Sequence, residues 1–293
     1  IGAGMSESIT VTSHTCLAAG ELVALEALVG ELRAAGIDPR VSVEMLSRDE
    51  GDGVVAFLAH NGEGLVGVAV PDRFDATIEV TLFVAPTAPP GALDMLWPAV
   101  LDDAVQRHAR RVLLLHDCKA PGIGRFAESQ GLALDHSELM MQRPAAEGAV
   151  QSATSQLDVR RATADDLPIV ARITAEEWGS LENNLARVRE AVAGGVTTYY
   201  LALNAGQPVA ALNIQMLDGR PWVYGFQVRA PLRGRGYGRQ LLTAVLAEVW
   251  AADPGDIYLE VDPTNTIAVN LYQSLGFVEL RTFDYWAKEL ADD

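Results

Sequence analysis

Cysteine is almost missing from this chain: Cys16 and Cys118 are the only two in 293 residues. Two thiols exclude a disulfide framework, and neither stands in the paired spacing of a zinc site, so both read as core residues. The 5 histidines are scattered without an H-x-x-x-H spacing, and no metal is expected. Long apolar runs are missing too. Nothing approaches the ~18 apolar residues of a membrane span, and the stretch after Met5, SESITVTSHT, has neither a basic start nor an apolar segment. Ile1 to Gly4 read as a remnant ahead of a native start. These absences lead us to expect a soluble, cytoplasmic chain with no membrane partner. Basic residues are scarce: 22 Lys and Arg stand against 39 Asp and Glu, for a net charge of −17. That balance argues against a nucleic-acid partner, whose phosphates are held by Lys and Arg, and favours a cationic substrate.

Length and apolar content suit two globular domains, each able to bury a core. The segment RPAAEGAVQSATSQ (143–156) is poor in large apolar residues and reads as a linker between a first domain at 5–142 and a second at 157–293. The two halves repeat each other. FVAPTAPPG (83–91) aligns with VRAPLRGRG (228–236), and AESQGLALDHSEL (127–139) with YQSLGFVELRTFD (272–284), both at an offset of 145 residues. A constant offset over this distance implies two copies of one domain. Upstream, HNGEGLVGVAV (60–70) and LNAGQPVAALNI (203–214) read as a hairpin in each half, with the offset slipping slightly.

The second half reads as β, α, α, β, β, β, α, β, α, β. Thr163 caps a helix with Asp165 and Asp166 in its first turn, and Gly276 ends the last helix. Between the strand WVYGFQV and a helix patterned by Leu241, Leu242, Val245, Leu246 and Val249 lies PLRGRGYGRQLL (231–242). Glycine at alternate positions removes side chains from the backbone just where a helix begins, exposing N–H groups at the positive end of its dipole. Arg233, Arg235 and Arg239 add positive charge. A Walker loop would need G-K-[ST], and a dinucleotide fingerprint G-x-G-x-x-G; neither is present.

The run from Arg233 to Gly238, R-x-x-G-x-G, resembles the pyrophosphate loop of the GNAT superfamily of acyl-CoA-dependent N-acetyltransferases. The opening VRRATADDLP and the closing LEVDPTNTIAVNLYQSLGF resemble that superfamily in the same order, over roughly 150–293. The fold implied is α/β (α+β): two tandem GNAT domains, each with a mixed, mostly antiparallel central sheet flanked by helices. The resemblance implies that Arg233, Gly234, Arg235, Gly236, Tyr237, Gly238 and Arg239 cradle the pyrophosphate of acetyl-CoA. It implies that Phe226, Gln227 and Val228 offer backbone groups to the pantetheine arm, and that Asn265 and Ala268 contact the same arm. Tyr272 matches the tyrosine that protonates the departing thiolate. Glu260, in YLEV, matches the glutamate of bacterial ribosomal-protein alanine N-acetyltransferases, where it serves as base; Tyr224, Glu176 and Glu177 remain alternatives through a water relay.

In the first copy the same offset puts Ala88 at Arg233, Pro89 at Gly234, Leu93 at Gly238, Leu115 at Glu260, Ala120 at Asn265 and Ala127 at Tyr272. Prolines at 89 and 90 remove N–H donors. That copy is expected to keep the fold without the chemistry and to serve as a wall for the acceptor, a tandem arrangement resembling that of mycothiol synthases. The activity implied is transfer of an acetyl group from acetyl-CoA to a primary amine of a small cationic molecule, by direct attack in a ternary complex, in a monomer or homodimer. A peptide or protein N-terminus is the alternative acceptor, and a non-enzymatic acyl-CoA-binding protein the alternative class.

Overall fold

The computed structural model describes residues 8–43, 45–47, 53–89, 91–150, 156–175 and 181–290. Two compact units divide the chain: residues 1–138 with 281–293, and residues 139–280.

The first unit runs β1 (Thr10–His14), α1 (Ala19–Ala34), β2 (Ala56–Asn61), β3 (Gly64–Phe74), β4 (Thr77–Val84), α2 (Ala92–Gln106), β5 (Arg111–Asp117), α3 (Ile123–Ser129) and the start of β6 (Ala133–Arg143). β1 to β4 form an antiparallel meander, and β4 lies parallel to β5 over five residue pairs, Thr77↔Arg111 to Thr81↔Leu115. Both faces of the sheet are apolar and both are covered. Ile78, Val80, Val112 and Leu114 pack with Leu96, Trp97 and Val100 of α2, while Leu58, Val68 and Phe83 pack with Leu25, Leu28 and Leu32 of α1.

The second unit runs through the end of β6, then β7 (Asp158–Arg161), α4 (Leu167–Ala175), α5 (Leu181–Ala193), β8 (Thr197–Asn204), β9 (Gln207–Leu217), β10 (Arg220–Val228), α6 (Tyr237–Ala252), β11 (Ile257–Val261), α7 (Thr266–Gln273) and the start of β12 (Val278–Glu289). The element order agrees with the order read from the sequence. Thr163 forms a capping box with Asp166, whose carboxylate accepts from the Thr163 N–H and hydroxyl, both at 2.8 Å. Gly276, at φ +87°, closes α7, and the Phe277 N–H donates to the Tyr272 carbonyl at 3.1 Å. One core lies between the sheet and α6 with α7, and another between the sheet and α4 with α5.

The domain boundaries differ from those read along the chain, because the last strand of each half is exchanged. β5 pairs antiparallel with β12 over Phe283↔Asp117 to Glu289↔Arg111, and β11 pairs antiparallel with β6 over Ile257↔Arg143 to Val261↔Leu139. Val261 meets Leu139 as His116 meets Asp284, the same positions 145 residues apart. Residues 281–293 therefore belong with the first unit and 139–142 with the second. The start of the expected linker is likewise fixed structure. Arg143 is buried, and its guanidinium donates to the carbonyls of Leu275 (2.9 Å) and Gly148 (2.8 Å), while Asp256 accepts from the Ala145 N–H at 2.8 Å. Backbone polar bonds anchor this segment, which its lack of large apolar residues concealed; residues 151–155 lie outside those described. The cysteines correct a second expectation: Cys16 is half-buried and Cys118 exposed, so neither is in the core. Among the described residues, no helix is long and apolar enough to cross a membrane.

Candidate active site

The parallel strands β10 and β11 pair only at Trp222↔Tyr258 and Val223↔Leu259, then separate. A β-bulge drives this separation. The register between β9 and β10 slips between Tyr224 and Gln227, where Gly225 adopts φ +55°. A Cβ on Gly225 would lie 2.8 Å from Asn213 Nδ2, so bulge and packing both require glycine there. The first unit has no such slip between β3 and β4, and its β4 and β5 stay paired one step further, through Thr81↔Leu115. That extra pair falls at the counterparts of Tyr224 and Glu260. The bulge also explains half of the slip in the repeat, from 143 at the hairpin turn (Phe74 to Leu217) to 145 at the next helix cap (Gly91 to Gly236).

The glycine loop lies at the mouth of this opening, and its three glycines serve different needs. Gly234 and Gly236 both take φ +77°, Gly236 as the N-cap of α6, and a Cβ on either would meet nothing within 4 Å. Their backbone is left-handed beside open space, as a cradle for a pyrophosphate requires. Gly238 has an ordinary φ but a close neighbour: its Cβ would stand 3.1 Å from Phe226 Cζ and 3.2 Å from Val228 Cγ2. The first turn of α6 thus packs against two of the strand residues at the opening. Arg233 folds back to donate from Nε to the Val228 carbonyl at 3.1 Å, Arg239 donates to Ser274 Oγ at 2.6 Å, and Asn204 donates to the Tyr237 hydroxyl at 2.9 Å. Arg235 is exposed.

Tyr272 and Glu260 stand on opposite faces of the sheet. Tyr272 is buried on the α6–α7 side, with its ring 6.2 Å from that of Phe226 and 5.9 Å from that of Phe277. Burial pushes its phenol well above the ordinary tyrosine value, so it stays protonated throughout the neutral range. Glu260, half-buried, alternates with Leu259 and Val261, which face the α6–α7 core, and so projects to the other side. Asn265 caps α7 by accepting from the Ala268 N–H at 3.2 Å, so its side-chain oxygen has a structural task. Gln227 is buried and Tyr224 half-buried; Glu176 and Glu177 lie outside the described residues.

In the first unit, Gly91 keeps the cap glycine at φ +98°, but Pro89 replaces a donor, Pro90 lies outside the described residues, and Leu115 and Ala127 are buried. Sequence reading missed the bulge, since glycine and aromatic residues inside a strand pattern give no register.

Comparison with known proteins agrees with this geometry. Residues 167–277 match the model of the Acetyltransferase (GNAT) family. A stretch of 66 residues is 34% identical to a [Ribosomal protein bS18]-alanine N-acetyltransferase of Haemophilus ducreyi; it covers 22% of this chain and 46% of that protein, so the chain spans about half the length of the curated relative it matches. Among solved structures, a GCN5-related N-acetyltransferase from Sphaerobacter thermophilus superposes with TM-score 0.80 at 19% identity, over 96% of this chain and 95% of that one. A tandem GNAT protein from the clavulanic acid biosynthesis pathway superposes with TM-score 0.73 at 16% identity, over 98% and 100%. The glycine-capped helix, the bulged and parting strands and these matches agree: the chain has the tandem GNAT fold, and its residues 167–277 match the GNAT acetyltransferase family.

Proposed function

We propose that the 139–280 unit is an acetyl-CoA-dependent N-acetyltransferase acting on a primary amine. The observation that carries this reading is the placement of Tyr272 and Glu260 on opposite faces of one gap, beside a glycine-capped helix. Bound acetyl-CoA supplies the thioester. Gly234 to Gly238 would take its pyrophosphate at the start of α6, and Phe226 to Val228 would line its arm.

An ammonium cannot attack until it loses a proton, and Glu260 accepts that proton on its own face. The amine nitrogen forms the C–N bond as the C–S bond breaks, Tyr272 gives its proton to the sulfur on the other face, and the second proton that the nitrogen sheds on becoming an amide returns through solvent to the Tyr272 phenolate. A small cationic amine fits the net charge of −17. A peptide α-amine is the second reading, favoured by the relative that acetylates an alanine of a ribosomal protein. The first unit, with Pro89 at the loop and Leu115 at the base position, is non-catalytic in this reading.

Calorimetry should give one acetyl-CoA site per chain, and thiol release should follow addition of a primary amine. Two equal sites, or none, would defeat the proposal.

A further inference from the structure

Three aromatic rings stand on the Glu260 face of the second unit and belong to neither of its hydrophobic cores. Trp222 stacks on Tyr224 with ring centroids 6.0 Å apart and planes 10° apart, and on Tyr258 at 5.1 Å and 25°. The register places them together: Trp222 faces Tyr258 across the parallel pair, and Tyr224 is the next residue of β10 on that face. Beyond Val223↔Leu259 the strands part, so Tyr224 and Glu260 flank the opening from its two sides.

Two observations separate this stack from ordinary packing. The first is the comparison within the chain: the counterparts of Trp222, Tyr224, Tyr258 and Glu260 are Glu79, Thr81, Leu113 and Leu115, so the copy whose strands stay paired one step further has no aromatic ring at any of these four positions. The second is that the stack already holds a cation. The Arg220 guanidinium lies over the Tyr258 ring, 5.6 Å from its centroid, at the end away from the opening.

We propose that Tyr224, the member of the stack beside the opening, is the specificity-determining residue that receives the acceptor as its ammonium. This rests on the acetyltransferase reading above. The ring face attracts the charged amine through its quadrupole, and stacking on Trp222 holds the ring in place. The ammonium then lies between an aromatic face and the Glu260 carboxylate. Primary amines that are protonated at neutral pH are the substrate class, selected over weakly basic ones by charge and not by hydrogen bonds to the Tyr224 hydroxyl.

The test compares wild type, Tyr224→Phe and Tyr224→Leu with phenethylamine, spermidine and a tetrapeptide bearing a free N-terminal alanine, each assayed by thiol release. Acetyl-CoA affinity is measured in parallel by calorimetry and reports folding of the site. The leucine variant should raise KM about three- to thirty-fold for every amine turned over, while the phenylalanine variant stays within about twofold of wild type. An unchanged KM in the leucine variant overturns the assignment. So does a kcat loss in the phenylalanine variant, which would make the hydroxyl a proton carrier, and so does failure of wild type to turn over any of the three while it binds acetyl-CoA. If wild type does not bind acetyl-CoA, the acetyltransferase reading itself has failed.

Discussion

Replacing Arg281 by methionine tests the exchanged strand directly, because this residue lies near the C-terminus and serves the unit built from the N-terminal half. The Asp117 carboxylate has no exposed side-chain surface, and Arg281 Nη1 lies 2.9 Å from its Oδ2. Asp117 also accepts from the backbone N–H of Asp38 at 2.9 Å and of Lys119 at 2.8 Å. Stripping a buried carboxylate of its partner costs about 3–5 kcal/mol. Two amide donors remain here, and the loss is closer to that of a hydrogen bond to a charged group, about 1.5–3 kcal/mol. With a urea slope of about 1–3 kcal/mol per molar, the unfolding midpoint should fall by about 1 M. In an Asp117→Asn background the same replacement should cost much less, since the carboxylate that needs the guanidinium is gone. A midpoint shift below about 0.2 M in the single variant would refute the reasoning, and with it the view that residues 281–293 are integral to the first unit.

Gly238→Ala should push Phe226 and Val228 away from α6 and weaken acetyl-CoA about tenfold by calorimetry, with a stability loss of about 1–3 kcal/mol from overpacking; unchanged affinity would mean that the contact does not shape the gap. Tyr272→Phe keeps the ring contacts with Phe226 and Phe277 and should still bind acetyl-CoA, yet lose about 10²–10⁴ in kcat. A stability loss without a rate loss would make Tyr272 a packing residue. Glu260→Gln should remove the low-pH limb of the pH–rate profile, and a limb that survives moves the base elsewhere. Bonding to Arg160, and then to the Thr163 amide and hydroxyl, holds the Asp166 carboxyl well below the usual range. Its contribution is present above the unfolded value near 4 and is lost as pH falls through the lower folded value. Asp166→Asn should therefore destabilise by about 1 kcal/mol at pH 7, and thermal unfolding should show the difference shrinking below about pH 4.

Much of this protein is legible as local pattern. The glycines of 231–242, the Thr163 cap, Gly276 after the last helix and the 145-residue offset each state a local backbone requirement or a repeat, and such signals survive in one dimension. Element order in the second half follows from them. Long-range pairing does not. A strand's alternation records which face is buried but not which edge it joins, and β6 and β12 are the same strand of the repeat, so their sequences alone allow either partner. The fold pairs β12 with β5 and β6 with β11.

The site divides the same way. The sequence by itself determined where a glycine-opened helix begins, which half keeps Tyr272 and Glu260, and which half has replaced them. Only the tertiary structure decided that a bulge at Gly225 parts β10 from β11, that Tyr272 and Glu260 stand on opposite faces of the gap, and that Trp222, Tyr224 and Tyr258 form one stack. The physical reason is register: a single extra residue in one strand shifts what lies across from it, and stacking between strands depends on parallel pairing that no local sequence preference encodes.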